Sequence, residues 1–553
     1  MSEFAPINVA AYLGRLAETQ PTKLAVAEPG VEPGDRSAYR RWTYAELHRE
    51  SDRYAVGLSE HGIRRGMRTA LLVKPSLAFF GLTFALFKLG AAPVLIDPGI
   101  GIRNMGRCLD EAEPEAFIGT PPAHLARLLL GWGRNSLRHL VTVGAKYGWG
   151  GVTLARLVER IGPYPAYPVA DVSANEVAAI LFTSGSTGPP KGAVYTHGMF
   201  ANQVRILRDL FGLQPGEIDL CTFPLFALFA PALGWTAVIP VMDFTRPGSV
   251  DPRHIFAAID AWSVTNLFGS PALLERLSQA ANSAEVKLPT LRRVITAGAP
   301  VRPDILESFS RLLDAKTPIH TPYGATEALP ISSISSQTIL DETRTGTNVG
   351  KGNCVGYPAP GITIRIIKIS DEPIARWCDD LLAPEGDVGE IIVQGPVVSP
   401  SYFHRPDQTA LAKIPDQTGI VWHRMGDVGY FDDQGRLWFC GRKSQRVITK
   451  DRTFYTLSCE GVYNAHPNVR RTALVGVRRG VDVEPVLCIE LRPSVRRAEH
   501  SAIRNELVEM GRRYEHTRPI RAMLFHPSFP VDIRHNAKIS REKLAIWAAR
   551  RLR

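Results

Sequence analysis

Short apolar runs rich in β-branched residues recur along the first 300 residues and are separated by longer segments of mixed polarity. The runs lie at residues 69–73, 92–96, 140–143, 178–182 and 294–297. Continuous apolar runs of this length are typical of strands that are buried on both faces, and the segments between them are long enough for helices. The pattern therefore predicts alternating strands and helices around largely parallel sheets.

The pattern changes near residue 350. Two apolar runs, 362–367 and 389–394, flank a stretch rich in Pro, Gly and Asp, and residues 429–439 look like two short strands around a Gly-containing turn. These features predict an antiparallel β subdomain. About a hundred residues follow position 442, which is enough for a small α+β domain, and residues 442–444 are the candidate linker.

We thus predict an α/β plus β fold of more than one domain, since 553 residues are too many for one compact core. A large N-terminal domain, 1–442, would combine parallel-sheet α/β subdomains with the smaller antiparallel β subdomain. A small mobile α+β domain, 443–553, would follow it.

Composition describes an ordinary globular protein, with 45% hydrophobic and 22% charged residues. We expect neither a signal peptide nor a membrane span, because no basic segment precedes an apolar stretch at the N-terminus and no apolar run is long enough to cross a bilayer. The seven cysteines are scattered and never form CxxC, which indicates reduced thiols, a cytoplasmic location and no zinc site.

Charge is distributed unevenly. The chain carries +11, but residues 441–553 contain 24 Lys and Arg against 11 Asp and Glu, so the C-terminal fifth is the basic part. A solvated surface explains this, and a phosphate-rich ligand, an acidic partner or an anionic membrane surface are alternatives. Nucleic acid is not expected, because neither zinc-finger spacing nor an aromatic RNA-binding pattern accompanies the charge.

The segment TSGSTGPPKG, residues 183–192, directly follows an apolar run. Small residues let backbone N–H groups approach an anion, hydroxyl groups add donors, and Lys191 supplies a positive charge. The segment differs from a Walker A loop because Lys191 precedes Gly192 and the glycine spacing is different. We predict a phosphate-binding loop rather than a flexible Ser/Gly connection.

This loop closely resembles the signature loop of the adenylate-forming superfamily, which comprises acyl-CoA synthetases, peptide adenylation domains and firefly luciferase. Further motifs resemble that family in the expected order: WTYAEL (42–47), FKLGAAPVLIDP (87–98), TAGAP (296–300), YGATE (323–327), GD (426–427), GR (441–442) and PVDIRHNAK (530–538). The resemblance implies an enzyme that uses ATP and Mg²⁺ to convert a carboxylic acid into an acyl-adenylate and pyrophosphate.

The resemblance also implies the residues that bind the nucleotide: Thr183, Ser184, Gly185, Ser186, Thr187, Gly188, Lys191, Gly298, Ala299, Pro300, Tyr323, Gly324, Thr326, Asp427 and Arg442. In that family, the position of Tyr323 stacks on adenine, that of Asp427 accepts the ribose hydroxyls, and that of Arg442 adds a ribose or phosphate contact. Thr326 would hydrogen-bond the α-phosphate, and Glu327 would hold Mg²⁺.

Three departures from the family pattern bear on the fate of the adenylate. Ala227 stands where a histidine often lies beside the acyl carboxylate, and Ser444 replaces the usual Asp or Lys at the hinge. Asp451 stands where a glycine usually lines the thiol tunnel, and a carboxylate there would repel phosphate groups. We hypothesise that the second half-reaction does not use coenzyme A.

The C-terminal phrase at 531–544 and the segment FPLFALFAPALG most resemble the β-lactone synthetases of bacterial long-chain olefin biosynthesis. That resemblance implies a long-chain 2-alkyl-3-hydroxy acid, whose own hydroxyl would capture the adenylate. His197 and His320 are candidates for the base, although most such histidines are structural. An assembly with thiolase-like, α/β-hydrolase-like and dehydrogenase enzymes of the same pathway is a further expectation.

Three alternatives stay open. A long-chain fatty acyl-CoA or acyl-AMP ligase would share the first half-reaction. A luciferase-like enzyme would need oxygen chemistry, for which the sequence has no distinctive feature. A binding module without catalysis would have no need to keep Lys191, Glu327, Asp427 and Lys538 together.

Lys538 is the residue that the resemblance places at the reaction centre. Attack of a carboxylate on the α-phosphorus brings two anions together, and a lysine would stabilise the charge of the transition state. Changing Lys538 to Ala should therefore slow pyrophosphate release by about a hundredfold or more, the usual effect of losing one such group. Near-normal turnover would remove this role.

Overall fold

A computed structural model describes residues 6–30, 35–162, 166–183, 189–281, 286–531 and 539–552. The strands in these ranges are β1 (Leu24–Glu28), β2 (Arg40–Thr43), β3 (Arg68–Leu72), β4 (Ala92–Leu95), β5 (Ala116–Gly119), β6 (His139–Thr142), β7 (Val152–Thr153), β8 (Val177–Phe182), β9 (Gly192–Thr196), β10 (Ile218–Leu220), β11 (Thr236–Val238), β12 (Asn266–Phe268), β13 (Arg293–Ile295), β14 (Ile319–Ala325), β15 (Ala328–Ser335), β16 (Asn353–Pro358), β17 (Thr363–Ile367), β18 (Gly389–Gln394), β19 (Lys413–Pro415), β20 (Val421–Phe431), β21 (Leu437–Arg442), β22 (Val447–Ile448), β23 (Thr453–Phe454), β24 (Val469–Arg479), β25 (Asp482–Leu491) and β26 (Ala522–Phe525).

The helices in the same ranges are α1 (Ala10–Thr19), α2 (Tyr44–Glu60), α3 (Leu77–Leu89), α4 (Ile102–Ala112), α5 (Pro121–Leu130), α6 (Leu154–Glu159), α7 (His197–Phe211), α8 (Pro224–Ala227), α9 (Ala230–Leu233), α10 (Pro252–Trp262), α11 (Pro271–Ala281), α12 (Pro303–Ser310), α13 (Ser336–Thr338), α14 (Arg344–Asn348), α15 (Pro406–Ala412), α16 (Thr456–Asn464), α17 (His500–Arg512) and α18 (Arg541–Arg551). Across the described residues, no helix combines the length and the apolar character that crossing a membrane requires.

The first major sheet has seven strands in the order β7-β6-β5-β3-β4-β8-β9. All neighbours are parallel except β8 and β9, which pair as an antiparallel hairpin around the predicted phosphate loop. The carboxyl ends of β3, β4, β5 and β8 therefore share one edge. The predicted βα alternation with buried parallel strands is confirmed, because β4 and β5 are buried at every position.

The second sheet has fourteen strands and runs β17-β18-β20-β21-β16-β15-β14-β13-β12-β10-β11-β1-β2, with β19 paired to β20. Its β11 to β14 part is parallel, and its β14 to β17 part is antiparallel. The predicted antiparallel subdomain thus extends the same sheet as the parallel strands. The β14–β15 hairpin is the junction between the two parts.

Strand β16 lies next to this junction and pairs with two different strands. It pairs with β15 through only two residues and then passes to β21, with an irregular register between Cys354 and Gly356. Gly356 has φ +80°, and a Cβ there would lie 2.1 Å from the carbonyl oxygen of Ser333. Only glycine fits such a close approach in a left-handed conformation.

Helix α3 packs against β4 of the seven-stranded sheet and is apolar except at Thr83 and Lys88. The Lys88 side chain is fully buried, and its Nζ donates to Oδ1 of Asp52 at 2.6 Å and to Oγ of Ser51 at 2.7 Å, both on α2. A buried charge needs such partners. The pair fixes α3, which brings Phe79 and Phe87 to the cavity described below.

Beyond residue 442 the chain forms a separate three-stranded sheet, β24-β25-β26, and the β22–β23 hairpin. Two apolar cores in this part contain only residues from 447 onward. We retain the division into 1–442 and 443–553 as a proposal that these cores support. Arg492 reaches Asp304 of the larger part at 3.2 Å.

Candidate active site

A cavity of about 1480 Å³ lies where the carboxyl ends of β3, β4, β5 and β8 meet the β14–β15 turn and the linker. Ligands of α/β proteins bind outside the carboxyl ends of parallel strands, and pockets for compact ligands usually span about 300–1,000 Å³. This cavity is therefore large enough for a nucleotide together with a long apolar substrate.

The ends of the predicted phosphate loop are tied together. The N–H of Thr183 donates to the carbonyl oxygen of Lys191 at 2.9 Å, and the N–H of Lys191 donates to Oγ1 of Thr183 at 3.2 Å. Both residues line the cavity. The predicted contacts of Ser184, Gly185, Ser186, Thr187 and Gly188 lie outside the described residues and stay predictions.

Thr326 and Glu327 form the two-residue connection of the β14–β15 hairpin and both line the cavity. The carbonyl oxygen of Thr326 accepts a hydrogen bond from Oη of Tyr195 at 2.6 Å. The carbonyl oxygen of Glu327 accepts one from the N–H of Ser399 at 2.8 Å. At Gly324 an added Cβ would lie 2.6 Å from the carbonyl oxygen of Ala328, so the tight hairpin excludes a side chain there.

Tyr402 links the loop lysine to the predicted magnesium ligand. Its Oη donates to Oε1 of Glu327, and Nζ of Lys191 lies 5.0 Å from the centre of its ring. Burial lowers the pKa of Lys191, and the Glu327 carboxylate opposes that shift. The sequence reasoning missed Tyr402, which follows a Pro- and Ser-containing loop without a recognisable pattern.

Tyr323 and Arg442, both partly buried, surround the buried carboxylate of Asp427 beside the cavity. Oη of Tyr323 donates to Oδ2 of Asp427, and Nη1 of Arg442 lies 3.0 Å from Oδ1. Asp427 and Arg442 are direct cross-strand partners, and the Tyr323 ring lies 5.6 Å from that of Phe439. Burial raises the pKa of Asp427, whereas Arg442 opposes the rise.

Among these predicted nucleotide contacts, Arg442 lines the cavity directly, while Tyr323 and Asp427 lie just behind its wall. Each carboxylate oxygen still has a lone pair for a ribose hydroxyl. Gly298 lines the cavity with φ +96°, whereas Ala299 and Pro300 continue away from it.

A buried lysine and histidine, which sequence reasoning also missed, lie on the neighbouring β19–β20 ladder. Lys413 and His423 are cross-strand partners, and His423 lines the cavity. Nζ of Lys413 donates to the carbonyl oxygen of Ser399, and burial lowers its pKa to about 7. Burial and the charge of Lys413 hold the pKa of His423 well below its usual value.

The linker is anchored to the larger part of the protein. Nζ of Lys443 lies 3.0 Å from Oε1 of Glu390, and Arg446 contacts Asp371 at 3.0 Å. Ser444, the predicted hinge position, lines the cavity. Asp451 is exposed in the turn between β22 and β23 and does not line it.

Lys538 lies outside the described residues, so its predicted role is untested. The residues that flank its segment are described. Val531 and Ile539 form an isolated β-bridge, and Nε of Arg541 donates to Oε1 of Gln445 at 3.0 Å. The segment therefore starts and ends close to the linker.

The two histidines proposed as bases lie away from the cavity lining. His197 is fully buried, with its ring 6.3 Å from that of Phe87, and burial lowers its pKa to about 4. His320 packs against Phe211, and burial likewise lowers its pKa to about 4. The geometry supports structural roles for both.

Ala227 is buried in the protein core and does not line the cavity, in contrast to our expectation. Its neighbours Phe226 and Leu228 line the cavity instead. Successive residues of a helical turn point about 100° apart, so Ala227 faces away while they face inward. The apolar lining that this segment provides therefore comes from those neighbours.

Residues 13–403 match the family described as AMP-binding enzyme. This chain belongs to that family. An olefin β-lactone synthetase of Xanthomonas campestris pv. campestris is 51% identical over 548 residues, covering 98% of this chain and 97% of the relative. An olefin β-lactone synthetase of Stenotrophomonas maltophilia is 50% identical over 562 residues, covering 99% of each chain.

Solved structures share the fold of this AMP-binding enzyme at lower identity. The amide bond synthetase McbA from Marinactinospora thermotolerans has a TM-score of 0.78 at 22% identity, covering 98% of this chain and 99% of that one. O-succinylbenzoate coenzyme A synthetase from Bacillus subtilis, solved with ATP and magnesium ion, has a TM-score of 0.73 at 21% identity, covering 96% and 98%. The predicted adenylate-forming family and fold are confirmed.

Tyr402 offers a direct test of how the site holds Glu327. Changing Tyr402 to Phe removes the hydroxyl but keeps the ring beside Lys191. A hydrogen bond to a charged group contributes roughly 1.5–3 kcal/mol, so pyrophosphate release should fall by about tenfold or more. Tyr147→Phe, at a residue that is 67% exposed, is the matched control. Equal rates for the two variants would contradict the proposed link.

Lys413 should make stability depend on pH. Its folded-state pKa of about 7 lies below the ordinary 10.5, so between these values the unfolded chain binds more protons and stability rises with pH. Below pH 7 the folded protein carries the full cost of a buried ammonium group.

Lys413→Met removes this cost. Relative to the unchanged protein, the free energy of unfolding in urea should rise by a few kcal/mol more at pH 6 than at pH 9. Exposed Lys316→Met is the control. If Lys413→Met raised the free energy of unfolding equally at pH 6 and pH 9, the ammonium group would not be buried as described.

Proposed function

We propose that the protein is a β-lactone synthetase that acts on a long-chain 2-alkyl-3-hydroxy acid. The observation that carries this proposal is the 50–51% identity to two olefin β-lactone synthetases over nearly the whole chain. The large apolar cavity beside the polar site supports it, because an acid of this class has much alkyl surface to bury.

In the first half-reaction, a carboxylate oxygen attacks the α-phosphorus of ATP, and the bond to pyrophosphate breaks. Lys191 and Thr183 would bind the polyphosphate, and Thr326 would donate to the α-phosphate. Lys538 would stabilise the charge that develops between the two anions. Asp427 would accept the ribose hydroxyls while Arg442 and Tyr323 hold it in place.

Magnesium fits this site through Glu327. No cluster of three or more His, Cys, Asp or Glu side chains arranged for a metal occurs among the residues that the structure describes. Mg²⁺ commonly binds through one or two carboxylates plus substrate phosphates, which matches Glu327 held by Tyr402. When bound, the ion would neutralise phosphate charge.

In the second half-reaction, the 3-hydroxyl oxygen attacks the activated carbonyl carbon, the bond to AMP breaks, and the hydroxyl proton is released. The nucleophile belongs to the substrate, so proximity is built in. His197 and His320 do not line the cavity, and we assign neither as the base.

A thiol is not required by this scheme. Asp451 lies in an exposed turn of the basic C-terminal part. Because the substrate's own hydroxyl is the nucleophile, coenzyme A takes no part in the proposed reaction. A cytoplasmic assembly with thiolase-like, α/β-hydrolase-like and dehydrogenase enzymes would supply the hydrophobic acid and consume the lactone.

The deciding experiment incubates the protein with ATP, Mg²⁺ and a long-chain 2-alkyl-3-hydroxy acid, with and without coenzyme A. We expect NMR signals of a four-membered lactone and stoichiometric AMP in both reactions. The matching 2-alkyl acid without the 3-hydroxyl is the control and should yield no lactone. An acyl thioester formed only with coenzyme A, and no lactone, would favour an acyl-CoA ligase instead.

A further inference from the structure

The cavity reaches both faces of the seven-stranded sheet. Leu71 and Leu95 belong to the apolar core on one face, whereas Leu72 and Ile96 pack in the core on the other face. All four line the cavity. Neighbouring residues of a strand point to opposite faces, so the cavity wraps around the carboxyl ends of β3 and β4.

The first face carries an aromatic arm of the cavity. Phe87 of α3, Phe200 of α7, and Phe226 and Phe229 near α8 line it. The rings of Phe87 and Phe200 are 5.6 Å apart, and those of Phe200 and Phe229 are 6.1 Å apart. This arm suits one alkyl chain beside the reacting carboxylate.

The second face carries another apolar arm, which we call the α4–α5 arm. Its lining comprises Met105 of α4, Ala123 and Ala126 of α5, Trp132 and Phe182. These residues belong to, or pack against, one core that is separate from the core of the aromatic arm. Met105, Trp132 and Phe182 are nearly buried, so the arm is bounded by packed side chains.

Three polar residues in this half of the cavity lie at the strand ends, and a fourth, Arg405, pairs with Glu111 of α4 at 2.6 Å. Lys74, Asp97 and Thr120 each follow the carboxyl end of a parallel strand, next to the edge where Thr183 begins the phosphate loop. The side chains that α4 and α5 themselves contribute to the lining, among them Met105, Ala123 and Ala126, are apolar. The α4–α5 arm therefore leads away from the polar centre into apolar surroundings.

Beyond this arm, α5 carries an exposed apolar face. Leu125, Leu128, Leu129 and Leu130 are 50–73% exposed, whereas Ala123 and Ala126 of the same helix line the cavity. Exposed apolar patches of this kind mark places where apolar ligands or partners meet a protein. The arm thus lies next to an exposed apolar surface of α5.

We propose that the α4–α5 arm binds one of the two alkyl chains of the acid while the aromatic arm binds the other. The inference rests on the proposed function, because a 2-alkyl-3-hydroxy acid has chains on two adjacent carbons, whereas a straight-chain fatty acid has one chain. From a carboxylate held near Lys191 and Thr326, these chains diverge. A cavity that divides around the sheet edge accommodates both.

The test fills the α4–α5 arm by changing Ala126 to Trp. Three acids are compared by pyrophosphate release: one with both chains long, one with only the C2 chain long, and one with only the C3 chain long. Overpacking disfavours whichever chain occupies the arm, so turnover of the doubly long acid should fall about tenfold or more. One of the two singly long acids should keep its rate within about twofold of the unchanged protein.

Val481→Trp, at a turn residue that is 99% exposed, controls for the added indole and should leave all three rates unchanged. Equal losses for all three acids in Ala126→Trp, or no loss for any, would overturn the proposal. Because adenylation is the readout, this test stands even if no lactone forms, which would instead refute the proposed second half-reaction.

Met105→Ala provides a second variant of opposite effect. It lengthens the α4–α5 arm, so preference among acids should shift toward a longer chain at the same carbon that Ala126→Trp identifies. If the preference changes for chains on the other carbon, or does not change, the α4–α5 arm does not bind the chain that Ala126→Trp identifies.

Discussion

The predicted nucleotide site depends on one buried carboxylate. Asp427 is only 2% exposed and could not stay charged there without partners. Arg442 faces it across the β20–β21 ladder, and Tyr323 reaches it from β14, which lies several strands away in the sheet. Because Arg442 is also the first residue of the linker, the same contacts hold the start of the linker.

A second constraint is the concentration of positive charge away from water. Lys191 and Lys413 both have lowered pKa values because they are buried, and the carboxylate of Glu327 opposes the shift in each. A polyanionic ligand would relieve the cost of burying these ammonium groups. The Tyr402 hydroxyl contacts Glu327 and its ring contacts Lys191, so one tyrosine side chain couples the predicted metal ligand to the predicted phosphate ligand. The apolar residues around these charged groups strengthen the electrostatic interactions among them.

The sequence predicted the parallel strands well because buried runs such as 92–96 and 178–182 are continuous and apolar, and it located the loop after β8 and the β14–β15 turn by their motifs. It could not identify Tyr402 or Lys413, whose contacts join segments far apart in the chain. The sequence also led us to expect Ala227 beside the acyl carboxylate, which was wrong because the direction of a side chain on a short helix depends on packing. His197 was a candidate base because of its position in the sequence, whereas its burial against Phe87 depends on the tertiary structure.

The central claim is that the acid is activated as an adenylate and then closed by its own hydroxyl. Isotope tracing tests both steps together, using a 2-alkyl-3-hydroxy acid whose two carboxylate oxygens are oxygen-18 and mass spectrometry of both products. Closure from the adenylate predicts one labelled oxygen in AMP and one in the lactone carbonyl, with an unlabelled ring oxygen. Unlabelled AMP, with both labelled oxygens retained in the lactone, would contradict it.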